Sequence, residues 1–236
     1  MEIFAHRGSS GTHPENTLPA FREAAALPVH GVELDVHLSK DGELVVIHDE
    51  KVNRTTNGKG YVKDMTLAEL KQLDAGSWKA GEWAGAAIPT LAEVFRVFQN
   101  SPDILNVELK TDIFPYPGAV EQVSKLAAEQ AMENRLVISS FNHLDVQEAI
   151  AQHNMPGAIL ASNILVDMAA YADTVGTKRL HLSLPFALRH GAELIRKGCE
   201  VYVYTVNRLD YAEQLRQIGA AGIFTDYPEK MLEELS

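Results

Sequence analysis

Charged side chains recur at every second position in two apolar segments of the sequence. Glu33 and Asp35 lie in the first segment, and Glu108 and Lys110 end the second. If each segment is a β-strand, residues two apart point to the same face, so Glu33 and Asp35 become neighbours. Carboxylates removed from water repel each other unless a cation compensates them. Glu33, Asp35 and Glu108 therefore form a candidate oxygen-ligand set for one hard divalent cation.

Both pairs also have a simpler interpretation. Charged strand residues usually form a solvated face, and Glu108 with Lys110 also fits an ordinary surface ion pair. The choice depends on the fold, because helices cover the outer face of the strands in a closed barrel. In that fold Val32, Leu34 and Val36 would face the helices, and the acidic residues would face the barrel axis.

His6, Arg7 and Gly8 follow the first predicted strand. Arginine offers two parallel donors to phosphate oxygens, and glycine lets the backbone approach a ligand closely. Histidine can exchange a proton near neutral pH, although His6 also fits a core histidine with satisfied hydrogen bonds. The segment is a candidate for phosphate binding and acid-base chemistry.

A predicted hairpin brings His48 to the same place. Asp41-Gly42 is a strong signal for a two-residue turn, so segment 43–48 should return antiparallel to 31–37. A turn of that length places His48 directly opposite Asp35 on the same face. Three ionisable groups from separate parts of the sequence would then converge.

Strand and helix patterns alternate along the chain. The β-rich runs are 2–5, 31–37, 43–48, 104–109, 136–139, 157–161, 179–182, 200–205 and 221–224, and helical periodicity covers 18–27, 91–100, 118–132, 143–152, 208–217 and 228–235. This order favours a parallel sheet with helical crossovers. The length suits an α/β fold of the (β/α)8 TIM barrel type, with a doubly wound open sheet as the alternative.

The hairpin also explains why there is one strand too many for a barrel. Segment 43–48 is expected to be an excursion over one barrel end, because a parallel crossover needs a dozen or more residues. Residues 51–88 are rich in glycine and break the strand-helix rhythm. We expect a small insertion at 51–88 within a single domain covering 1–236, and we expect it to cap the barrel mouth.

The overall charge restricts the partners. A formal charge of −11 disfavours nucleic acid, whose backbone is bound mainly by clustered Lys and Arg. The sequence shows neither a leader-like start nor an 18-residue apolar run, which predicts a cytoplasmic protein without a stable membrane anchor. The single cysteine, Cys199, is expected to be buried and inert. A homodimer stays open as an oligomeric state.

The remaining histidines have simpler expected roles. His37 is expected at the rim of the site. Structural or solvated roles are expected for the histidines without metal-ligand spacing, His13, His30, His153, His181 and His190.

In combination, these motifs resemble the glycerophosphodiester phosphodiesterase family of the bacterial, cytoplasmic type. The early motifs, in order, are His6-Arg7-Gly8, Glu15-Asn16-Thr17, Glu33-x-Asp35, Asp41-Gly42, His48-Asp49, Arg54-Thr55-Thr56-x-Gly58 and Glu108-x-Lys110. Ser140-Phe141, Tyr204-Thr205-Val206-Asn207 and Thr225-Asp226-x-Pro228 look like the family's later strand ends. The resemblance covers nearly the whole chain.

The resemblance implies a metal-dependent hydrolysis of glycerophosphodiesters to glycerol 3-phosphate and an alcohol. One calcium or magnesium ion would be held by Glu33, Asp35 and Glu108. By the same carry-over His6 and His48 are the acid-base pair, Arg7 and Lys110 contact phosphate, Phe141 and Tyr204 contact the substrate, and Glu15 and Asn16 support the site. The family often has Trp at the position of Tyr204, so the shape of that subsite stays open.

The resemblance also suggests that the substrate's own glycerol hydroxyl attacks phosphorus and forms a cyclic phosphate that water then opens. Two other functions stay open from the sequence. One is a related phosphodiesterase or phospholipase that releases the cyclic phosphate as its product. The other is a phosphate-ligand binder without catalysis, although a degenerate barrel of that kind would be expected to have lost some of these charged groups. The preferred alcohol group is not readable from the residues.

Overall fold

Strands and helices alternate through residues 1–101, 103–163 and 165–235, which are the residues that the computed structural model describes. The strands are β1 (Glu2–Ala5), β2 (Gly31–Leu38), β3 (Leu44–Val46), β4 (Ile104–Leu109), β5 (Leu136–Ser140), β6 (Gly157–Ala161), β7 (Arg179–Ser183), β8 (Glu200–Tyr204) and β9 (Gly222–Thr225). The α-helices are α1 (Leu18–Ala26), α2 (Leu67–Leu70), α3 (Leu91–Phe98), α4 (Ala119–Glu129), α5 (His143–His153), α6 (Met168–Val175), α7 (Leu184–Arg196), α8 (Leu209–Gln217) and α9 (Pro228–Leu235). Within these ranges no helix is long and apolar enough to cross a membrane.

Eight of the strands close into a parallel barrel. Their order is β1-β9-β8-β7-β6-β5-β4-β2, and parallel pairing of β1 with β2 seals the ring. Strand β3 lies outside this ring and pairs antiparallel with β2. The predicted (β/α)8 TIM barrel is confirmed, and the antiparallel direction of the returning segment is confirmed with it.

The two faces of β2 separate apolar from charged side chains. Val32, Leu34 and Val36 are buried in one apolar cluster with Phe21 of α1 and Phe95 of α3. The alternate residues of β2 therefore face the barrel interior, as period-two geometry requires. A second apolar layer, which contains the buried Cys199, lies under α6 to α9.

The turn of the β2–β3 hairpin differs from the prediction. The strand pairs are Val36 with Val46 and Leu38 with Leu44, so the register is one residue away from the expected one. The turn is a three-residue loop, closed by a 3.0 Å hydrogen bond from the Ser39 amide to the Glu43 carbonyl, with Gly42 at φ 85°. A left-handed glycine at the end of a three-residue loop is a common alternative to the two-residue turn.

The predicted pairing of Asp35 with His48 is therefore wrong. Asp35 lies opposite Ile47 instead, whose amide donates to the Asp35 carbonyl at 3.1 Å. His48 lies beyond the end of β3, where its carbonyl oxygen accepts a hydrogen bond from His37 Nε2 at 3.0 Å. His48 reaches the barrel mouth through this contact and not through the strand ladder.

Residues 51–88 contain little regular structure. They include an isolated bridge between Lys51 and Tyr61, two short 3-10 turns and the four-residue helix α2. Their apolar side chains pack on residues of the hairpin in a small cluster of Val45, Ile47, Val52, Val62, Leu70, Ala75 and Ile88. The segment is thus built directly on the β2–β3 excursion.

Gly31 lies at the start of β2, where its neighbours approach closely. A methyl group on its Cα would lie 2.5 Å from the carbonyl oxygen of Ile104 and would also collide with the ring of Phe4. We expect Gly31→Ala to lower the free energy of unfolding by about 1–3 kcal/mol, the usual cost of overpacking. Urea denaturation followed by circular dichroism measures this loss.

The control for this prediction is Gly81→Ala. Nothing lies within 4 Å of a methyl group added at Gly81, so that variant should unfold close to the wild-type midpoint. An equal loss in both variants would contradict the packing argument at Gly31.

Candidate active site

Three carboxylates meet at the barrel mouth. The β2–β4 register pairs Asp35 with Glu108, and Glu33 lies two residues before Asp35 on the same face. Ligand atoms of Glu33, Asp35 and Glu108 all lie within 4.8 Å of one another, and all three residues are buried. Glu33 Oε1 and Asp35 Oδ1 have no hydrogen-bond partner among the described residues. Buried carboxylate oxygens without partners fit the donor set of a hard divalent cation.

Electrostatics supports the same interpretation. Burial, followed by the charges of Asp35 and Glu108, raises the pKa of Glu33 well above its ordinary value. Burial also raises the pKa of Glu108 to about 7, although Lys110 acts in the opposite direction. Burial alone would raise the pKa of Asp35 as well, but the positive charges around it, led by Arg7, lower it. Full ionisation of the three carboxylates therefore requires added positive charge.

Two basic side chains lie against the carboxylates. Arg7 Nε is 3.3 Å from Asp35 Oδ2, and the Arg7 amide donates to Glu33 Oε2 at 2.9 Å. Lys110 Nζ donates to Glu108 Oε1 at 2.8 Å and lies 3.8 Å from Asp35 Oδ1. Burial alone would lower the pKa of Arg7 and of Lys110, but the neighbouring carboxylates raise both. Both side chains therefore stay positively charged at the mouth.

Each of the two predicted acid-base histidines is held by a carboxylate. His6 Nδ1 lies 2.7 Å from Asp226 Oδ1, and His48 Nδ1 lies 2.7 Å from Asp49 Oδ1. A carboxylate partner assigns the ring proton to Nδ1 and leaves Nε2 to meet a ligand. Nε2 of His48 lies 3.4 Å from Lys110 Nζ. Burial, partly opposed by Asp35, lowers the pKa of His48.

The two aspartates were not assigned a role from the sequence, although both belong to the quoted motifs. Burial alone would raise the pKa of Asp226, but the hydrogen bonds with His6, Asn207 and Ser10 together outweigh it and lower that pKa to about 2. Burial opposes the shift at Asp49 also, but hydrogen bonds with Arg54 and His48 lower its pKa to about 2. Adjacency to His48 was an available signal for Asp49. For Asp226 the signal was barrel closure, which pairs β9 with β1.

A cavity of about 200 Å³ opens between these groups. It is lined by His6, Arg7, Glu33, His48, Asn106, Glu108, Phe141, Leu160, His181, Tyr204, Thr205 and Phe224. Seven of the predicted site residues are in this wall. A larger depression of about 430 Å³ lies at the amino ends of β6 to β8, remote from the carboxylates. The chemically equipped cavity is the smaller one, at the carboxyl ends of the strands, where barrel enzymes place their sites.

The other four predicted residues lie behind the wall. Asp35 and Lys110 contact the lining carboxylates as described above. Asn16 Nδ2 donates to Asp35 Oδ2 at 2.8 Å, and Glu15 Oε1 accepts from Arg7 Nη1 at 2.8 Å. Glu15 and Asn16 thus hold a carboxylate and a cation of the site in place.

The structure adds a location to the expectation for His181 and corrects the one for His37. His181, expected to be structural or solvated, is buried in the cavity wall with its ring 4.8 Å from that of Phe224. His37, expected at the rim, is 1% exposed and bonds to Tyr116 Oη as well as to the His48 carbonyl. His181 lies on the inner face of β7, a position that spacing between histidines cannot reveal.

The aromatic residues form the far side of the cavity. The rings of Phe141 and Tyr204 meet edge to face with centroids 6.3 Å apart. The Tyr204 hydroxyl is buried without a hydrogen-bond partner in the described part of the chain. Burial raises the pKa of this hydroxyl, so it stays protonated and able to donate.

Comparison with known proteins gives a consistent result. Residues 6–230 match the family model described as "Glycerophosphoryl diester phosphodiesterase family". A "Glycerophosphodiester phosphodiesterase" of Caldanaerobacter subterraneus subsp. tengcongensis is 42% identical over 236 residues, covering 98% of this chain and 96% of the relative. A protein of the same name from Bacillus altitudinis is 38% identical over 98% of this chain and 97% of its own.

Solved structures match along the whole chain. An Oleispira antarctica phosphodiesterase, solved in complex with the product sn-glycerol-3-phosphate, has a TM-score of 0.89 and 34% identity, covering 100% of this chain and 96% of its own. A glycerophosphodiester phosphodiesterase from Thermotoga maritima has a TM-score of 0.79 and 27% identity, over 99% and 97% of the two chains.

The carboxylate cluster predicts a measurable effect of metal on stability. The pKa of Glu33 is higher in the fold than in the unfolded chain, so its ionisation destabilises the metal-free fold as the pH rises above about 4.5. At pH 7.5, Ca²⁺ or Mg²⁺ at roughly 100 times its Kd should stabilise the wild type by about 2.7 kcal/mol. In Glu33→Gln this stabilisation should be lost, while the metal-free protein keeps or exceeds wild-type stability.

Thermal denaturation with and without metal measures both effects. Glu121→Gln is the control, since Glu121 lies on the exposed side of α4 and forms an ion pair with Lys125. This variant should keep the metal response. A Glu33→Gln variant that responds to metal like the wild type would rule out Glu33 as a ligand.

Proposed function

The chain belongs to the glycerophosphoryl diester phosphodiesterase family, and from this membership we propose that it hydrolyses glycerophosphodiesters to glycerol 3-phosphate and an alcohol. One observation of the structure carries the proposal. Three buried carboxylates, two basic side chains and two carboxylate-held histidines cluster at a single cavity, with five of these seven groups in its wall and Asp35 and Lys110 directly behind it. Phosphodiester cleavage requires positive charge near the phosphoryl oxygens and proton transfer at the attacking and the departing oxygen, and these groups can supply both.

Glu33, Asp35 and Glu108 would hold one divalent ion, calcium or magnesium. Their oxygen donors suit either ion. The observation that fits an ion is that Glu33 Oε1 and Asp35 Oδ1 are buried without a hydrogen-bond partner among the described residues. When bound, the ion supplies positive charge for the phosphoryl oxygens. The carboxylates fix its position, and the Glu33 contact with the Arg7 amide orients one of them.

Arg7 and Lys110 are proposed to contact the phosphoryl oxygens of the substrate. Both are mostly buried, and their pKa values are raised by the carboxylates beside them. A positive charge that is held in place before the reaction stabilises the extra negative charge of the transition state without reorganisation. The overall charge of −11 therefore does not prevent an anionic substrate from binding here.

His6 and His48 are proposed as the acid-base pair. One accepts the proton of the attacking hydroxyl, and the other donates a proton to the oxygen of the departing alcohol. Asp226 and Asp49 hold each ring through Nδ1 and direct Nε2 toward the substrate. The two histidines exchange roles when the second bond is broken.

The attacking group is proposed to be the substrate's own glycerol hydroxyl. Its oxygen forms a bond to phosphorus while the bond to the departing alcohol breaks, which leaves a cyclic phosphate. Water then adds to phosphorus and opens the ring to glycerol 3-phosphate. An internal nucleophile that is already oriented lowers the activation barrier. In well-oriented intramolecular reactions this effect reaches about 7–11 kcal/mol.

Phe141 and Tyr204 are proposed to contact the organic part of the substrate, opposite the charged wall of the cavity. Residues 51–88 are proposed to be an insertion within one domain that spans 1–236 and to influence which alcohol is accepted.

The cytoplasmic location and the lack of a nucleic-acid partner or a stable membrane anchor stay predictions from the sequence. A homodimer is also untested.

The proposed function predicts metal-dependent release of glycerol 3-phosphate. Purified protein is assayed on a panel of glycerophosphodiesters with a coupled readout of glycerol 3-phosphate, before and after chelation and after metal is restored. Turnover should disappear on chelation and return with metal, and His6→Ala should lower kcat by roughly 10²–10⁴. Full activity without metal would contradict the proposal.

The role of the insertion is tested by shortening residues 77–86. If the order of preference among the glycerophosphodiesters of the panel stays unchanged in a folded variant, that role is contradicted.

The internal nucleophile makes a separate prediction. An analogue of glycerophosphocholine without the glycerol 2-hydroxyl should not be turned over, because it has no group to attack phosphorus. Phosphorus NMR on the normal substrate should detect the cyclic phosphate only as a transient species. Comparable rates on both substrates would mean that water attacks directly, and accumulation of the cyclic phosphate as the final product would favour the phospholipase-like alternative.

A further inference from the structure

Arg54 belongs to the 51–88 segment, and almost all N–H groups of its guanidinium donate hydrogen bonds within the protein. Its Nε and Nη2 donate to the two oxygens of Asp49 at 2.8 and 2.9 Å. Its Nη1 and Nη2 donate to the two oxygens of Glu15, both at 2.8 Å. Four of the five N–H donors of an arginine are thereby committed to two carboxylates in fork geometry.

Each of these carboxylates has a second partner in the site. Asp49 Oδ1 accepts from His48 Nδ1 at 2.7 Å, and Glu15 Oε1 accepts from Arg7 Nη1 at 2.8 Å. Asp49 and Glu15 belong to different loops, after β3 and after β1. Arg54 is therefore the common partner that joins the support of His48 to the support of Arg7.

A direct contact between Arg54 and the substrate does not agree with this geometry. Only one N–H of the guanidinium is left over, and Arg54 is not part of the cavity wall. An inert surface ion pair also agrees poorly, because Arg54 forms bidentate contacts within a network of several charges, which is the case in which such pairs do contribute. The side chain of Glu15 is 12% exposed, so loss of Arg54 would leave a largely buried carboxylate with one partner fewer.

We propose that Arg54 is a positioning residue that sets the orientation of His48 through Asp49 and of Arg7 through Glu15. The inference rests on the roles proposed above for His48 and Arg7. Arg54 thereby couples the acid-base chemistry to phosphate binding. The guanidinium fixes both carboxylates at once, which a lysine ammonium cannot do with the same geometry.

The contact of Arg54 with Asp49 and its contact with Glu15 should affect different kinetic constants. Asp49→Asn should mainly lower kcat, because His48 transfers a proton in the reaction. Glu15→Gln should mainly raise KM, because Arg7 contacts the phosphate of the bound substrate. Arg54→Gln should do both, with kcat lower and KM higher by on the order of 10-fold to 100-fold each, as is usual when support of a site residue is lost.

The experiment measures kcat and KM for glycerophosphocholine in the metal-loaded protein and in these three variants, with the thermal midpoint of each. Arg54→Gln is also placed in the Asp49→Asn/Glu15→Gln background. There it should cost less than about 2-fold in kcat/KM, because residues that act through the same partners are not additive. Arg54→Lys, which keeps the charge without the fork, should lose most of the activity that Arg54→Gln loses.

Lys71→Gln is the matched control. Lys71 pairs with Glu93 of α3 and so also joins the 51–88 segment to the barrel, but it touches none of the site residues. This variant should keep wild-type kcat and KM. A loss in Lys71→Gln equal to that in Arg54→Gln would assign the effect to general loosening of the segment and overturn the proposal.

Three further outcomes would overturn it: wild-type constants in Arg54→Gln or Arg54→Lys, a change in only one of the two constants, or an undiminished loss in the Asp49→Asn/Glu15→Gln background. A failure of the proposed function is recognised separately. In that case the wild type itself would not release glycerol 3-phosphate from any glycerophosphodiester of the panel.

Discussion

The site depends on one electrostatic constraint, which is that three buried carboxylates share the mouth of a barrel. At separations below 5 Å in a medium of low dielectric, their mutual repulsion is severe. Arg7 and Lys110 compensate part of the charge, but burial and the charge of Asp35 still raise the pKa of Glu108 to about 7. The remaining deficit favours a doubly charged cation, and the position of such a cation in turn determines where a phosphate can lie.

The sequence carried enough information for the fold and for the charged wall of the cavity. Glu33, Asp35 and Glu108 are recognisable because they interrupt apolar strands with period two, and in a barrel that periodicity has only one inward face. Parallel pairing of β2 with β4 then places Asp35 beside Glu108 without any further choice of geometry. The barrel and the three-carboxylate cluster were therefore predictable, because both follow from residue patterns within single strands.

Features that depend on tertiary contacts were not predictable in the same way. Asp41 looked like the first residue of a two-residue turn, but its side chain accepts hydrogen bonds from Ser39 Oγ and from the amide of Leu67. These contacts belong to a three-residue loop that packs against the start of α2. With this loop the β2–β3 pairing lies one residue away from the pairing that a two-residue turn would give. The partnership of His6 with Asp226 spans 220 positions in the sequence and exists only because the barrel closes.

That closure has a consequence for the order in which the groups of the site come together during synthesis. The three carboxylates of the cluster, His6 and His48, and the basic residues Arg7 and Lys110 are all synthesised within the first 110 residues. Asp226 is synthesised after all of them and directly follows β9, the strand that must insert between β1 and β8 to complete the ring. A nascent chain thus carries nearly all of its reactive groups early, yet His6 acquires its orienting partner only when the final strand docks. The orientation of His6 is in this way tied to the docking of β9.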